Sequence, residues 1–230
     1  MKKILFVLLI VMFMVPATVM AATVKIYGGS YQSGRGGEFT VQGVDGAGSA
    51  DVVHWAAGYS AATKNQSNPP SIQTFCLEYG ETFSYGTIYN YSLNTAALNG
   101  GVGPDGDEIS IGTAWLYNEF SKGTLAGYFT GGDRTTQAGL LQNAIWYLED
   151  EIGDQALNPY FTMLAGVGIT NPFANANGAY GVRALNLTDS SGNRVQDQLV
   201  RVNTPVPPTI WLLGSGLVGL VGLRRKFFRK

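Results

Sequence analysis

Fifteen consecutive uncharged residues, 209–223, run directly into Arg224, Arg225, Lys226, Arg229 and Lys230 at the end of the chain. As a helix rising about 1.5 Å per residue, such a stretch reaches roughly 22 Å, the short end of what a hydrocarbon core near 30 Å accommodates. Gly214, Gly216, Gly219 and Gly222 leave a small-residue face suited to close helix approach in lipid. The terminal basic cluster favours the cytoplasmic side and so leaves everything before it outside. The other end is also an address. Lys2 and Lys3 precede an apolar run from Ile4 to Val15, then Pro16, with Val19 and Ala21 satisfying the small-residue rule for cleavage after Ala21. Residues 1–21 therefore read as a signal peptide and 204–230 as a tail, which leaves residues 22–203 to fold.

Immediately before the apolar stretch stands Pro205-Val206-Pro207, and the order of triplet, Gly/Leu/Val helix and basic end resembles the PEP-CTERM sorting signal of bacterial exported proteins. Val206 occupies the place where that signal usually has glutamate. The resemblance implies export, transient anchoring in the inner membrane bilayer, and recognition by an exosortase-type membrane protease or transpeptidase. It also implies a final location at the cell surface or in the extracellular matrix.

A body of about 180 residues is long enough for one domain with a real core. Eight of the fifteen Lys/Arg and all sixteen Asp/Glu fall inside it, so the overall charge of −1 conceals an acidic domain. Without a basic stripe to meet phosphates, nucleic-acid binding is not expected. Alternation predicts strands over 23–27 and 38–44, a weaker strand over 51–59, and a stronger one over 71–79. The period then changes to that of a helix over 110–122, stopped by Gly123. A second helix is predicted over 135–152, where Ala138, Leu141, Ile145, Leu148 and Ile152 share one stripe. Asp133 is its expected cap and Gly153 its stop, and a short helix follows Asn158-Pro159. Paired strands are expected over 179–188 and 195–202. The predicted class is α+β: a mostly antiparallel sheet or sandwich with an inserted pair of helices, flanked by the signal peptide and a C-terminal hydrophobic helix.

Cys76 is the only cysteine, so an intramolecular disulfide is excluded, and burial as a small hydrophobe is the plainest role for it. Its setting suggests more. Thr74-Phe75-Cys76-Leu77-Glu78 and Leu141-Gln142-Asn143-Ala144-Ile145-Trp146 resemble the two motifs of surface thioester domains, with Leu141 where threonine is usual. In that family the cysteine thiol and the glutamine carboxamide condense with loss of ammonia. The resemblance thus implies a Cys76–Gln142 thioester that captures surface amines or other nucleophiles, or an exopolysaccharide partner. Position 142 lies at the flank of the helix stripe, where it can face a sheet residue.

Other patterns point to less. His54 is the only histidine and reads as a strand residue beside Trp55; with one Cys and one His a zinc set is not expected. Gly101–Gly106 matches a dinucleotide fingerprint by letters only and reads as a turn, since Pro104 interrupts it. Asp105, Asp107 and Glu108 lack the spacing of a calcium loop. Glu149-Asp150-Glu151 reads as a solvated acidic helix end. Tyr79, Phe83, Tyr85, Tyr89 and Tyr91 read as sheet packing, with a carbohydrate-stacking surface as the sharper option. No metal, cofactor or catalytic residue is expected. The expected function is that of a non-enzymatic surface or matrix protein, adhesive through the thioester. The alternative is a secreted polysaccharide-active hydrolase or a carbohydrate-binding module.

Overall fold

The computed structural model describes residues 22–98 and 106–203. The cleavage position Ala21, the triplet Pro205-Val206-Pro207, the basic cluster Arg224, Arg225, Lys226, Arg229 and Lys230, and Asp105 with most of the Gly101–Gly106 turn lie outside them. Among the described residues no helix is long and apolar enough to cross a membrane.

Among the described residues the fold is α+β, with a mostly antiparallel sheet and four α-helices. The strands are β1 (Thr23–Ser33), β2 (Gly36–Gly43), β3 (Lys64–Asn65), β4 (Ser71–Thr74), β5 (Ile88–Asn94), β6 (Ala96–Ala97), β7 (Asp107–Glu108), β8 (Val182–Thr188) and β9 (Arg194–Arg201). The helices are α1 (Gly46–Ala56), α2 (Ile111–Lys122), α3 (Arg134–Leu148) and α4 (Pro159–Gly166). Seven strands form one sheet in the order β3-β4-β2-β1-β5-β8-β9, and β6 with β7 forms a separate small ladder.

The sheet curls back on itself. Beyond β4 the chain continues through Phe75 to Leu77 and pairs with β9: Leu199 N–H donates to Phe75 O at 3.0 Å, Leu77 N–H donates to Asp197 O at 3.1 Å, and Cys76 bridges Gln198. One segment therefore joins β2 at its start and β9 at its end, and Cys76 lies at the closing seam. Sequence alternation over 71–79 predicted one inward and one outward face. At the seam both sides are covered, and Thr74, Phe75, Cys76, Leu77 and Glu78 are all buried.

Local chemistry sets the helix ends. Ser110, Asp133 and Asn158 accept hydrogen bonds from Thr113, Thr136 and Tyr160 N–H at 3.1, 2.9 and 3.0 Å, capping α2, α3 and α4. Pro159 takes the first turn of α4, and Gly123 ends α2 with φ 76°, a conformation that glycine adopts without a Cβ penalty. The predicted strand over 51–59 is instead covered by helix α1 as far as Ala56. Asp45 caps α1 through Gly48 N–H, and Val52, Trp55 and Ala56 bury at helical spacing. One cap and a three-four repeat outweigh the weak alternation there. Helix α3 ends at Glu149 rather than near Gly153, because Asp150 turns left-handed with φ 60°. It packs across β1 and β2, while α1 covers β2 and β4.

Candidate functional site

The sheet seam and helix α3 meet at two residues far apart in sequence. Cys76 N–H donates to Gln142 Oε1 at 3.1 Å, and Gln142 Nε2 donates to Cys76 O at 2.9 Å. The carboxamide is thus held at both ends by the backbone of the cysteine, and both residues are buried. On α3, Leu141 and Ile145 fill the core on either side of Gln142, which places the amide on the sheet. Close approach is needed for this. A Cβ at Gly36 on β2 would sit 2.3 Å from Gln142 Cγ and 2.8 Å from Trp146 Cη2, so only glycine lets the amide lie flat against the strand.

The sulfur has its own neighbours. Gln198 Nε2 lies 3.4 Å from Cys76 Sγ and Gln198 Oε1 lies 3.9 Å from it. Burial pushes the thiol well above its ordinary range, and the Glu78 charge pushes further, against the opposing amides of Gln198 and Gln196. The group is a neutral thiol at physiological pH, enclosed by glutamine side chains.

Chemically the Cys76 backbone engages the Gln142 amide at both its oxygen and its nitrogen. The Cys76 N–H that binds Oε1 is positioned to stabilise negative charge developing on that oxygen, the role of an oxyanion donor. The Cys76 carbonyl meanwhile holds the nitrogen that would leave. In a balanced step the Cys76 S–H bond and the Gln142 C–N bond break, an S–C bond forms, and the thiol hydrogen departs with nitrogen as ammonia.

Glu78 stands two residues after Cys76. Its Oε2 accepts from Asp197 N–H at 3.1 Å, and its Oε1 has no hydrogen-bond partner among the described residues. Burial, then the carboxylates of Asp197 and Glu81, push Glu78 up to about 10, so it carries a proton at neutral pH. Asp197 is raised to about 6, again mainly by burial, while accepting from Leu98 N–H at 2.8 Å and Leu187 N–H at 3.0 Å. Gln196, Asp197, Gln198 and Glu78 are the site residues that sequence patterning did not single out individually. Consecutive polar side chains at 196–198 inside a strand, all buried, were the available signal.

Beside the seam opens a cavity of about 210 Å3. Tyr79, Phe83 and Tyr85 give its aromatic walls; Arg35, Glu81 and Gln196 are among its polar groups. Of the five clustered aromatics, these three line the cavity. Tyr89 and Tyr91 pack elsewhere, Tyr89 accepting from Ser84 N–H at 2.8 Å and Tyr91 donating to Asp51 at 2.5 Å.

The remaining candidates separate from this centre. His54 is a helix residue of α1, not a strand residue, and its Nε2 lies 3.0 Å from Asn203 O. The acidic helix end is solvated only in part, with Asp150 exposed and Glu149 turned inward. Glu149 is buried and accepts from Ser110 N–H at 3.2 Å, with burial raising it to about 7, and Glu151 accepts from Tyr79 N–H at 2.9 Å. Ser110 is the cap of helix α2, and its N–H at that helix start draws Glu149 inward. Among the described residues no group of His, Cys, Asp and Glu is arranged to hold a metal ion. The chain matches no protein-family model, no curated protein and no solved structure.

Proposed function

We propose that this chain is an exported surface or extracellular-matrix protein whose body forms an internal thioester between Cys76 and Gln142 and attaches covalently to a nucleophile on another surface. The observation that carries the reading is the two-point hydrogen bonding of the Gln142 carboxamide to the Cys76 backbone, at 3.1 and 2.9 Å, across 66 residues of chain. A buried seam also suits a bond that water would hydrolyse. In this reading residues 1–21 direct export and are removed, and residues 22–203 are the working domain. Residues 204–230 carry the sorting triplet, a membrane helix and the basic stop, processed by an exosortase-type transpeptidase. The role is non-enzymatic, since the thioester is consumed on use.

The test is an intact mass of the purified protein before and after methylamine. A mass lower than the sequence value by one ammonia, restored with one added methylamine and absent in both Cys76→Ala and Gln142→Ala, is the expected result. An unmodified mass, with no adduct after methylamine, removes the thioester.

A further inference from the structure

The cavity beside Tyr79 is coupled to the Cys76–Gln142 pair by three separate contacts. Gln196 lines the cavity, its Nε2 donates to Glu78 O at 2.6 Å, and its backbone O lies 3.5 Å from Gln198 Nε2, the amide that borders Cys76 Sγ. Tyr79 stands edge-on to Trp146, with centroids 5.0 Å apart, and Trp146 follows Gln142 by one turn of α3. Arg35, also at the cavity, precedes Gly36, whose backbone lies against Gln142 Cγ. A molecule seated in the cavity therefore sits against the residues that enclose the thioester.

We propose that this cavity is the acceptor pocket of the thioester and takes a pyranose bearing a free primary amine, an amino-sugar unit of a polysaccharide. The inference rests on the thioester reading above. Three considerations select that class. The exposed ring of Tyr85, with Phe83 edge-on to it at 5.6 Å, offers a flat face for the C–H-rich side of a sugar ring. Around them Arg35, Glu81 and Gln196 combine donors and acceptors, as a ring of vicinal hydroxyls requires. An alkylammonium such as a lysine side chain fits less well, because the Arg35 guanidinium already lies 5.1 Å from the Tyr79 centroid and repels a second cation there.

The reacting group follows from the absence of imidazole at the seam. A hydroxyl needs a general base to attack a thioester, and the single histidine is engaged with Asn203 O. An uncharged amine attacks unaided. In the balanced step the sugar nitrogen bonds to the Gln142 carbonyl carbon, the S–C bond breaks, and one amine proton returns to Cys76 Sγ. The products are an amide and a free thiol.

The experiment compares adduct formation by the full chain with three probes at equal concentration and pH: methylamine, a β-linked glucosamine oligomer, and a short lysine peptide. Intact mass gives the rate. The glucosamine oligomer is expected to react about tenfold faster than methylamine, the factor that one aromatic contact of roughly 1.4 kcal/mol supplies. Tyr85→Ala should collapse that ratio toward one. Equal rates for glucosamine oligomer and methylamine, or a ratio that Tyr85→Ala leaves intact, overturn the pocket assignment while leaving the thioester standing. A lysine peptide that outpaces the sugar assigns the acceptor to protein and overturns it as well. No adduct with any probe ends both readings.

Discussion

Glu38 and Glu78 are both carboxyls buried against the same sheet, yet the fold treats them in opposite ways. Glu38, on β2, is fully enclosed, and its Oε1 accepts from Arg134 Nε at 2.6 Å and from Tyr128 OH at 2.6 Å. Its Oε2 accepts from Arg134 Nη2 at 2.9 Å, so guanidinium and carboxylate meet in a two-bond fork. The same guanidinium lies 4.3 Å from the Tyr31 centroid and 5.0 Å from that of Phe129 and donates to Ala62 O at 2.8 Å. Glu78 has no cation. Its charged neighbours are the carboxylates Asp197 and Glu81, and it remains neutral by keeping its proton. A compensated charge is framework. A carboxyl held neutral beside a buried thiol is the kind of perturbation that collects at functional sites.

The largest effect should come from breaking the compensated region. Arg134→Met leaves Glu38 buried with Tyr128 as its remaining side-chain partner, and about 3–5 kcal/mol of unfolding free energy should be lost. Urea unfolding of the variant at neutral pH measures it. A loss below about 1 kcal/mol, the range of exposed pairs, would erase the distinction between the two carboxyls.

The seam is held by different means. If the thioester closes, it ties residues 66 apart, and opening it with methylamine should destabilise the protein by about 3 kcal/mol through restored freedom of the unfolded chain. The N-methyl amide left behind retains one N–H for Cys76 O, so the local hydrogen bonds survive and the change isolates the cross-link. Equal unfolding midpoints before and after methylamine, with the adduct confirmed by mass, would show that the closed bond contributes no constraint.

Glu78 comes next in size, and its sign is fixed by its raised pKa. Below the ordinary carboxylate range both folded and unfolded chains hold the proton, and the stability is fully present. As pH rises the unfolded chain ionises first, so stability falls until the folded group ionises at about 10. Asp197, raised to about 6, and Glu149, raised to about 7, contribute the same sign but finish by about pH 8. Between about pH 8 and 9 the decline therefore belongs to Glu78, at roughly 1 kcal/mol per pH unit. Glu78→Gln, which keeps an acceptor for Asp197 N–H, should flatten that slope and raise stability at pH 8 by about 1–2 kcal/mol. An unchanged slope in the variant would mean that Glu78 is ionised in the fold.

What could be read in advance follows the range of each interaction. Capping and periodicity are local, so helices α2, α3 and α4 stand close to their expected positions, with Ser110, Asp133 and Asn158 at their starts. Cys76 and Gln142 were paired in advance only through the resemblance of two short segments to thioester-domain motifs, and the fold does bring them into contact. The closure of the sheet through Phe75–Leu77 was not legible, because it pairs residues more than a hundred positions apart and leaves no local period. For the same reason Gln196 and Gln198 look like ordinary polar strand residues until β9 brings them to the thiol. Helix α1 was missed because its small residues, Gly46, Ala47, Gly48, Ser49 and Ala50, give almost no stripe, and its strongest signal is one cap. Glu149 reads as solvated until the N-terminus of α2 is placed against it.

The smallest stability effect should come from the residue on which the chemistry depends most. Cys76→Ala removes one fully buried sulfur, and the void left is about methyl-sized, worth roughly 1 kcal/mol. The Gln198 amide loses the sulfur but lies 3.5 Å from Gln196 O, and the backbone of residue 76 still holds Gln142 at both ends. The proper reference is the methylamine-opened parent, since only then do both proteins lack the cross-link. Against it, Cys76→Ala should unfold within about 1 kcal/mol and show no adduct at all with any amine. A penalty as large as that of Arg134→Met would place the sulfur with the ionic framework, as packing that the seam cannot do without. Near-neutral stability with complete loss of adduct would assign the sulfur to chemistry, and the contrast between a framework held by charge and a seam held ready for a covalent bond would stand.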